Sequence, residues 1–189
     1  MNKILAFALV CALFSAPGMA AQDKPVIDPA KTLIAYYSWS GNTREVALQI
    51  QRLTGGTLFE IVPETAYPEN YNDCVNQARE ETRKKFQPPL KNSVAHMEQY
   101  EVIFVGSPNW WGTIAPPVAT FLATHDLSGK TLIPFFTHGS GGMQNCERDA
   151  RELAAKAKVL KAEAFLGSGV KSASRQIEDF VRDRVVIGK

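Results

Sequence analysis

The sequence has few cysteines, no long apolar run and almost no excess of charge. Only three cysteines occur in 189 residues, and none of them forms a C-x-x-C pair, which argues against a disulfide scaffold and against a structural zinc site. Lysine and arginine number 21 against 19 acidic residues, without a basic run, so neither nucleic acid nor an anionic membrane is an expected partner. With 45% hydrophobic residues, the chain can bury an ordinary core and form one domain.

Residues 1–20 have the pattern of a secretory signal peptide. Lys3 precedes an apolar run over residues 4–14, and Ser15-Ala-Pro-Gly-Met-Ala20 supplies a helix break and small residues before a cleavage site after Ala20. The run of 11 residues is about half of the roughly 20 that span a bilayer, which argues against an anchor. We therefore expect a periplasmic or secreted protein, with no membrane insertion once the signal is removed.

Removal of the signal leaves a nearly neutral chain with two cysteines. Lys3 is the one charged residue in 1–20, so the net charge falls from +2 to +1. The spacing of Cys74 and Cys146 does not require a bridge, and free buried thiols are commoner. Residues 21–31, with Pro25 and Pro29, predict an exposed leader.

Residues 32–189 alternate short β-rich runs with helical patterns. Strands are predicted at 32–37, 57–62, 102–106, 131–137 and 163–166, with helices at 43–53, within 66–86, and at 116–123, 145–158 and 174–185. Such alternation predicts an α/β fold in which a parallel sheet has helices on both faces. Ligands of such sheets bind beyond the carboxyl ends of the strands, which directs attention to the loops after strands one, three and four.

Three loops carry residues suited to one ligand. Ser38-Trp-Ser-Gly-Asn-Thr43 offers hydroxyls and free amides at a helix start, which suits a phosphate, although an ordinary helix cap is the alternative. Ser107-Pro-Asn-Trp-Trp-Gly112 supplies paired indoles for a flat ring, or for packing under the next helix. Thr137-His-Gly-Ser-Gly-Gly142 lets backbone approach a ring edge. His138 stands where a serine nucleophile elbow needs glycine, which argues against hydrolysis.

At these loops the chain resembles the flavodoxin family over roughly residues 31–187. Tyr36-Tyr-Ser-Trp-Ser-Gly-Asn-Thr43 is similar to the family's phosphate loop, Ser/Thr-x-Ser/Thr-Gly-Asn-Thr, and the other two loops support the match. The resemblance implies a flavodoxin-like, doubly wound, five-stranded parallel sheet of order 2-1-3-4-5. It also implies FMN as the cofactor, with no catalytic protein side chain and no metal.

The resemblance further implies a set of cofactor-binding residues. The phosphate would be held by Ser38, Trp39, Ser40, Gly41, Asn42 and Thr43. The flavin ring would lie among Pro108, Asn109, Trp110, Trp111 and Gly112, with its pyrimidine edge against His138, Gly139, Ser140, Gly141 and Gly142.

Two departures from the family affect the expected role. Electron-carrier flavodoxins are typically strongly acidic and cytosolic, whereas this chain is nearly neutral and carries a predicted export signal. Residues 63–93 are also longer than a simple crossover and are a candidate cap over the flavin or a homodimer surface. We expect an exported electron-transfer protein whose partner is a redox protein or a small-molecule acceptor. The alternatives are an FMN-dependent NAD(P)H:quinone or nitro-compound reductase, and a cofactor-free binding module on the same fold.

Overall fold

The computed structural model describes residues 24–187, so the predicted signal peptide lies outside the described residues. No helix among residues 24–187 is long and apolar enough to cross a membrane. The strands are β1 Val26–Ile27, β2 Thr32–Tyr36, β3 Thr57–Glu60, β4 Val102–Trp110, β5 Thr113–Ile114, β6 Thr131–His138, β7 Lys158–Val159, β8 Glu163–Leu166 and β9 Val186–Ile187. The helices are α1 Asn42–Thr54, α2 Tyr71–Lys84, α3 Pro116–Thr124, α4 Cys146–Leu153 and α5 Ser174–Arg184.

The central sheet confirms the predicted doubly wound fold. Its strands run in the order β3-β2-β4-β6, with β7 and β8 both pairing with the outer edge of β6, and all these pairs are parallel. This is the predicted order 2-1-3-4-5, with the fifth strand divided into two short pieces. The one antiparallel pair of this sheet is the short hairpin of β4 and β5.

Helices cover both faces because side chains alternate along the buried strands. On one face Leu33 and Ile103 pack with α2, α3 and α4, and on the other Ile34 and Phe104 pack with α1 and α5. Gly106 has no room for a side chain, since a Cβ there would lie 2.3 Å from the Phe135 ring. The sheet is thus packed on both sides up to the point where the strands end.

Pro134 lies within β6, beside the gap between the two short strands β7 and β8. The Leu132 carbonyl accepts a hydrogen bond from Leu160 on the β7 side, and alternation directs Pro134 to that same side. Between Val159 and Glu163 that neighbouring strand is absent, so the missing N–H of the proline costs no ladder bond.

Three segments differ from the sequence prediction. Strand β4 continues beyond Gly106 to Trp110, because it turns back into β5. Helix α4 ends at Leu153 rather than 158, and Lys158–Val159 instead joins the sheet beside β6. Within the leader predicted for 21–31, β1 pairs with β9 and Ile27 is buried against the core.

Candidate functional site

The first loop leaves the start of α1 open to an anion. Gly41 precedes the helix with a φ of 88°, a conformation that favours glycine, and no side chain caps the helix amides. A Cβ built on Gly41 would meet nothing within 4 Å. The Ser38 hydroxyl is buried and has no hydrogen-bond partner among the described residues. Free amides, a positive helix end and an unpartnered buried hydroxyl are the features that bind a phosphate group.

Thr43 also links this loop to a neighbouring strand. Its side chain is buried, and its hydroxyl lies 2.8 Å from the hydroxyl of Thr137, with either atom able to donate. This bond joins the start of α1 to the end of β6. The Thr43 side chain therefore joins the two loops, and its backbone N–H and the remaining hydrogen-bonding capacity of its hydroxyl are left for a ligand.

The side chain of Trp39 points toward the segment that precedes α2. Its indole N–H donates to the Pro68 carbonyl at 3.0 Å, and its ring lies 6.1 Å from that of Tyr71. The anion-binding loop is thus tied to the long segment 63–93 through one indole.

Asn109 fastens the second loop to the third. Its side-chain amide donates to the Gly142 carbonyl at 2.7 Å and accepts from the backbone N–H of Gly112 at 3.0 Å. The sequence prediction placed Asn109 in direct contact with a cofactor. In the structure both ends of its side chain are hydrogen-bonded, so the side chain holds the two loops at a fixed distance, and Asn109 also lines the cavity.

The paired indoles have separate environments. Trp110 packs edge-on against Tyr67 and Tyr37, with ring centroids 4.9 and 5.5 Å away. Trp111 lies in the hairpin turn with a φ of 54° and is 54% exposed. Its indole N–H donates to the Val75 carbonyl of α2 at 3.0 Å. Both rings border the same cavity, Trp110 from the core side and Trp111 from the solvent side.

The third loop presents mainly backbone. His138 ends β6, and its Nδ1 atom is buried without a hydrogen-bond partner among the described residues. Gly139 and Gly141 border the cavity, and a Cβ on Gly139 would meet nothing within 4 Å. Ser140 is exposed and lies outside the cavity lining.

These loops enclose a cavity of about 770 Å³, toward the upper end of the roughly 300–1,000 Å³ typical of small-molecule sites. The predicted residues that line it are Trp39, Ser40, Asn42, Pro108, Asn109, Trp110, Trp111, Gly112, His138, Gly139 and Gly141. The predicted residues that do not line it are Ser38, Gly41, Thr43, Ser140 and Gly142. Ser38 and Gly41 belong to the anion-binding loop itself, at the start of α1.

The cavity wall also includes residues that were not named as cofactor contacts, four of them in the candidate cap segment 63–93. They are Tyr71, Cys74, Val75, Ala78, Gln144, Gly167 and Ser168. Those on α2 have ordinary helix periodicity, which does not reveal where a helix will dock. Gly167 follows the fifth strand, and a Cβ there would lie 2.7 Å from the Asn42 amide nitrogen. The glycine pair at 167 and 169 was a usable indication that backbone comes close at this point.

Two buried groups near the cavity, Cys74 and Tyr67, favour their neutral forms. Burial raises the pKa of the Cys74 thiol above its ordinary value, and burial with the hydrogen bond to Glu81 raises the pKa of Tyr67. Among residues 24–187, no group of three His, Cys, Asp or Glu side chains is placed to hold a metal ion. The cavity is therefore suited to holding a flat, uncharged ring beside an anchored anion.

Known proteins of the same fold share this arrangement of strands and loops. A family model described as flavodoxin matches residues 31–182. A Bacteroides uniformis protein assigned as a flavoprotein is 28% identical, with a TM-score of 0.70, over 80% of this chain and 99% of that chain. A Lactobacillus acidophilus flavoprotein solved in complex with FMN is also 28% identical, with a TM-score of 0.63, over 76% and 97% of the two chains. No curated protein sequence matches.

Proposed function

The chain belongs to the flavodoxin family, and we propose that it binds FMN in the cavity at the carboxyl ends of the strands and transfers electrons in an exported compartment. The observation that carries the cofactor assignment is the uncapped start of α1 beside the unpartnered Ser38 hydroxyl. A structurally similar flavoprotein of L. acidophilus, solved with FMN, supports the same cofactor.

The residues fit each part of FMN. The amides at the start of α1 and the Ser38 hydroxyl would hold the phosphate, where the helix end stabilises negative charge. The Trp110 ring would cover the flavin and exclude water, and the backbone around Gly139 and Gly141 would meet its polar edge. The bonds Thr43–Thr137 and Asn109–Gly142 keep these three loops in register before a ligand arrives.

Bound FMN would supply the one- and two-electron redox chemistry, so no protein nucleophile is needed. The residues of this chain bind and orient the cofactor and keep water from it.

Cofactor binding can be tested by adding FMN or riboflavin to the purified mature chain and following flavin fluorescence. We expect quenching by FMN at micromolar protein, and weaker quenching by riboflavin because it lacks the phosphate. An absence of quenching with both ligands would favour the cofactor-free binding module instead.

A second candidate function is reduction of quinones or nitro compounds with a nicotinamide donor. It is favoured by the width of the cavity, which continues past the phosphate loop to α2 and the exposed Trp111. Steady-state oxidation of NADH or NADPH by the FMN-loaded protein with a quinone distinguishes the two roles. Sustained turnover supports the reductase, and its absence supports transfer to a protein partner.

The proposed export rests on the pattern of residues 1–20. Mass spectrometry of the protein from the periplasm or medium of its host should give the mass of a chain that begins at Ala21. Recovery of the full-length chain from the cytoplasm would contradict export while leaving the cofactor assignment intact.

A further inference from the structure

The α2 rim is the side of the cavity formed by helix α2 and Trp111. Its chemistry differs from that of the phosphate loop. Trp111 stands in a hairpin turn with a φ of 54°, a backbone region that a bulky residue adopts only under strain. Strained positions of this kind often occur at functional sites. Here this backbone conformation places a half-exposed indole at the edge of the cavity.

The Trp111 ring is fixed from two directions. Its N–H donates to the Val75 carbonyl at 3.0 Å, and the Arg79 guanidinium lies 5.6 Å from the ring centroid. A ring held in this way loses little freedom when a flat molecule packs on it. Tyr71, one helical turn before Val75, borders the same stretch of cavity and is 67% exposed.

Arg79 differs from its neighbouring arginine on the same helix. Arg83 pairs with Glu80 at 2.8 Å, whereas no ion pair of Arg79 within 4.0 Å is present in the part of the chain that the structure describes. Its charge is therefore not neutralised by a direct carboxylate partner, and it lies beside an exposed aromatic surface.

We propose that Trp111, Tyr71 and Arg79 form a second binding site for a flat aromatic molecule that carries a negative charge. This proposal rests on the proposed function, because the molecule would be an electron acceptor held next to the flavin. The ring would pack against Trp111 and Tyr71, and its anionic group would pair with Arg79. The phosphate loop would bind a phosphate through backbone amides, whereas this second site would bind an anion through one side chain.

Anthraquinone-2-sulfonate is a suitable probe, with 2-(hydroxymethyl)anthraquinone as its uncharged counterpart. Calorimetric titration of the FMN-loaded protein gives the dissociation constant of each. We expect Arg79→Gln to weaken the sulfonate about fivefold, the scale of a surface ion pair, and to change the uncharged probe less than about twofold. Trp111→Leu should weaken both probes, because both lose the flat surface.

Arg83→Gln is the matched control, since it removes the same charge from the same helix one turn away. We expect it to change either probe less than about twofold. Equal weakening by Arg79→Gln and Arg83→Gln would overturn the site in favour of a general effect of helix charge. Failure of the sulfonate to bind the FMN-loaded protein would also overturn it.

Flavin fluorescence recorded in the same titrations separates this proposal from the cofactor assignment. Retained FMN without probe binding overturns the second site alone. Release of FMN by the sulfonate would mean that the probe binds at the phosphate loop, and it would overturn the second site as well. A protein that never retains FMN would defeat the proposed function before the probe is added.

Discussion

The phosphate loop and the α2 rim border one cavity, yet they are built in opposite ways. The loop over residues 38–43 offers backbone amides at the end of a buried strand, and its shape depends on a glycine and a few local bonds. The rim offers side chains of α2 and Trp111, which meet only because segments 36 residues apart dock on each other. A cofactor-anchoring loop can therefore be specified by local sequence, whereas a surface for the electron acceptor depends on tertiary packing.

The largest expected effect comes from placing a carboxylate in the phosphate loop. Ser40→Asp should raise the dissociation constant of FMN by about 100-fold or more, near 3 kcal/mol, because the new charge competes for the helix amides and repels the phosphate. Riboflavin should change less than about threefold. Flavin fluorescence titration measures both.

The matched control for that variant is Asn72→Asp, which adds the same charge to the exposed first turn of α2. We expect it to leave FMN binding nearly unchanged. Equal loss of FMN and riboflavin affinity in Ser40→Asp would mean that the phosphate lies elsewhere. It would contradict the assignment of residues 38–43 as the phosphate anchor, and with it the comparison of the loop with the α2 rim.

A second, smaller effect should separate the adjacent indoles. Trp110→Ala removes a ring packed between Tyr37 and Tyr67 and should lower the free energy of unfolding by about 2 kcal/mol or more. Trp111→Asn should cost no more than about 1 kcal/mol, because asparagine tolerates the positive φ at that exposed turn. Urea denaturation of both variants checks the order, and a larger loss in Trp111→Asn would contradict the rim as a surface feature.

The smallest effect concerns pH and the bond from Tyr67 to Glu81. Because the pKa of Tyr67 is raised by burial and by this bond, its neutral form stabilises the fold below pH 10, and that contribution is lost as pH rises toward the folded-state pKa. Tyr67→Phe should therefore be about 1 kcal/mol less stable at pH 8, with most of that deficit gone at pH 11. Urea denaturation at both pH values measures it, and a constant deficit would show that Tyr67 is not held neutral.

Much of the fold was predictable because buried parallel strands and amphipathic helices have recognisable patterns of hydrophobic residues. The prediction differed where tertiary contacts decide the secondary structure of a segment. Residues after Leu153 have helical propensity but leave α4 to pair with β6, and β4 runs on to Trp110 because β5 offers it hydrogen bonds. Neither pairing has a local pattern in the sequence.

The candidate site divides along the same line. Sequence indicated all three loops, since small residues, glycines and paired indoles follow strands where a ligand is expected. It did not reveal that Asn109 and Thr43 also join loops to each other, because the sequence does not show which neighbour a polar side chain will meet. Residues 63–93 were a candidate cap, but the individual α2 residues of the wall were not indicated, because helix periodicity does not specify a docking partner.

The pairing of β1 with β9 imposes a long-range constraint on the chain. Val26 and Ile27 are synthesised early, but their hydrogen-bonding partners are Val186 and Ile187, about 160 residues on. Closing so long a loop is entropically costly, so the pair depends on the burial of Ile27 in the core for its stability. This small sheet thus links two segments that are far apart in the chain.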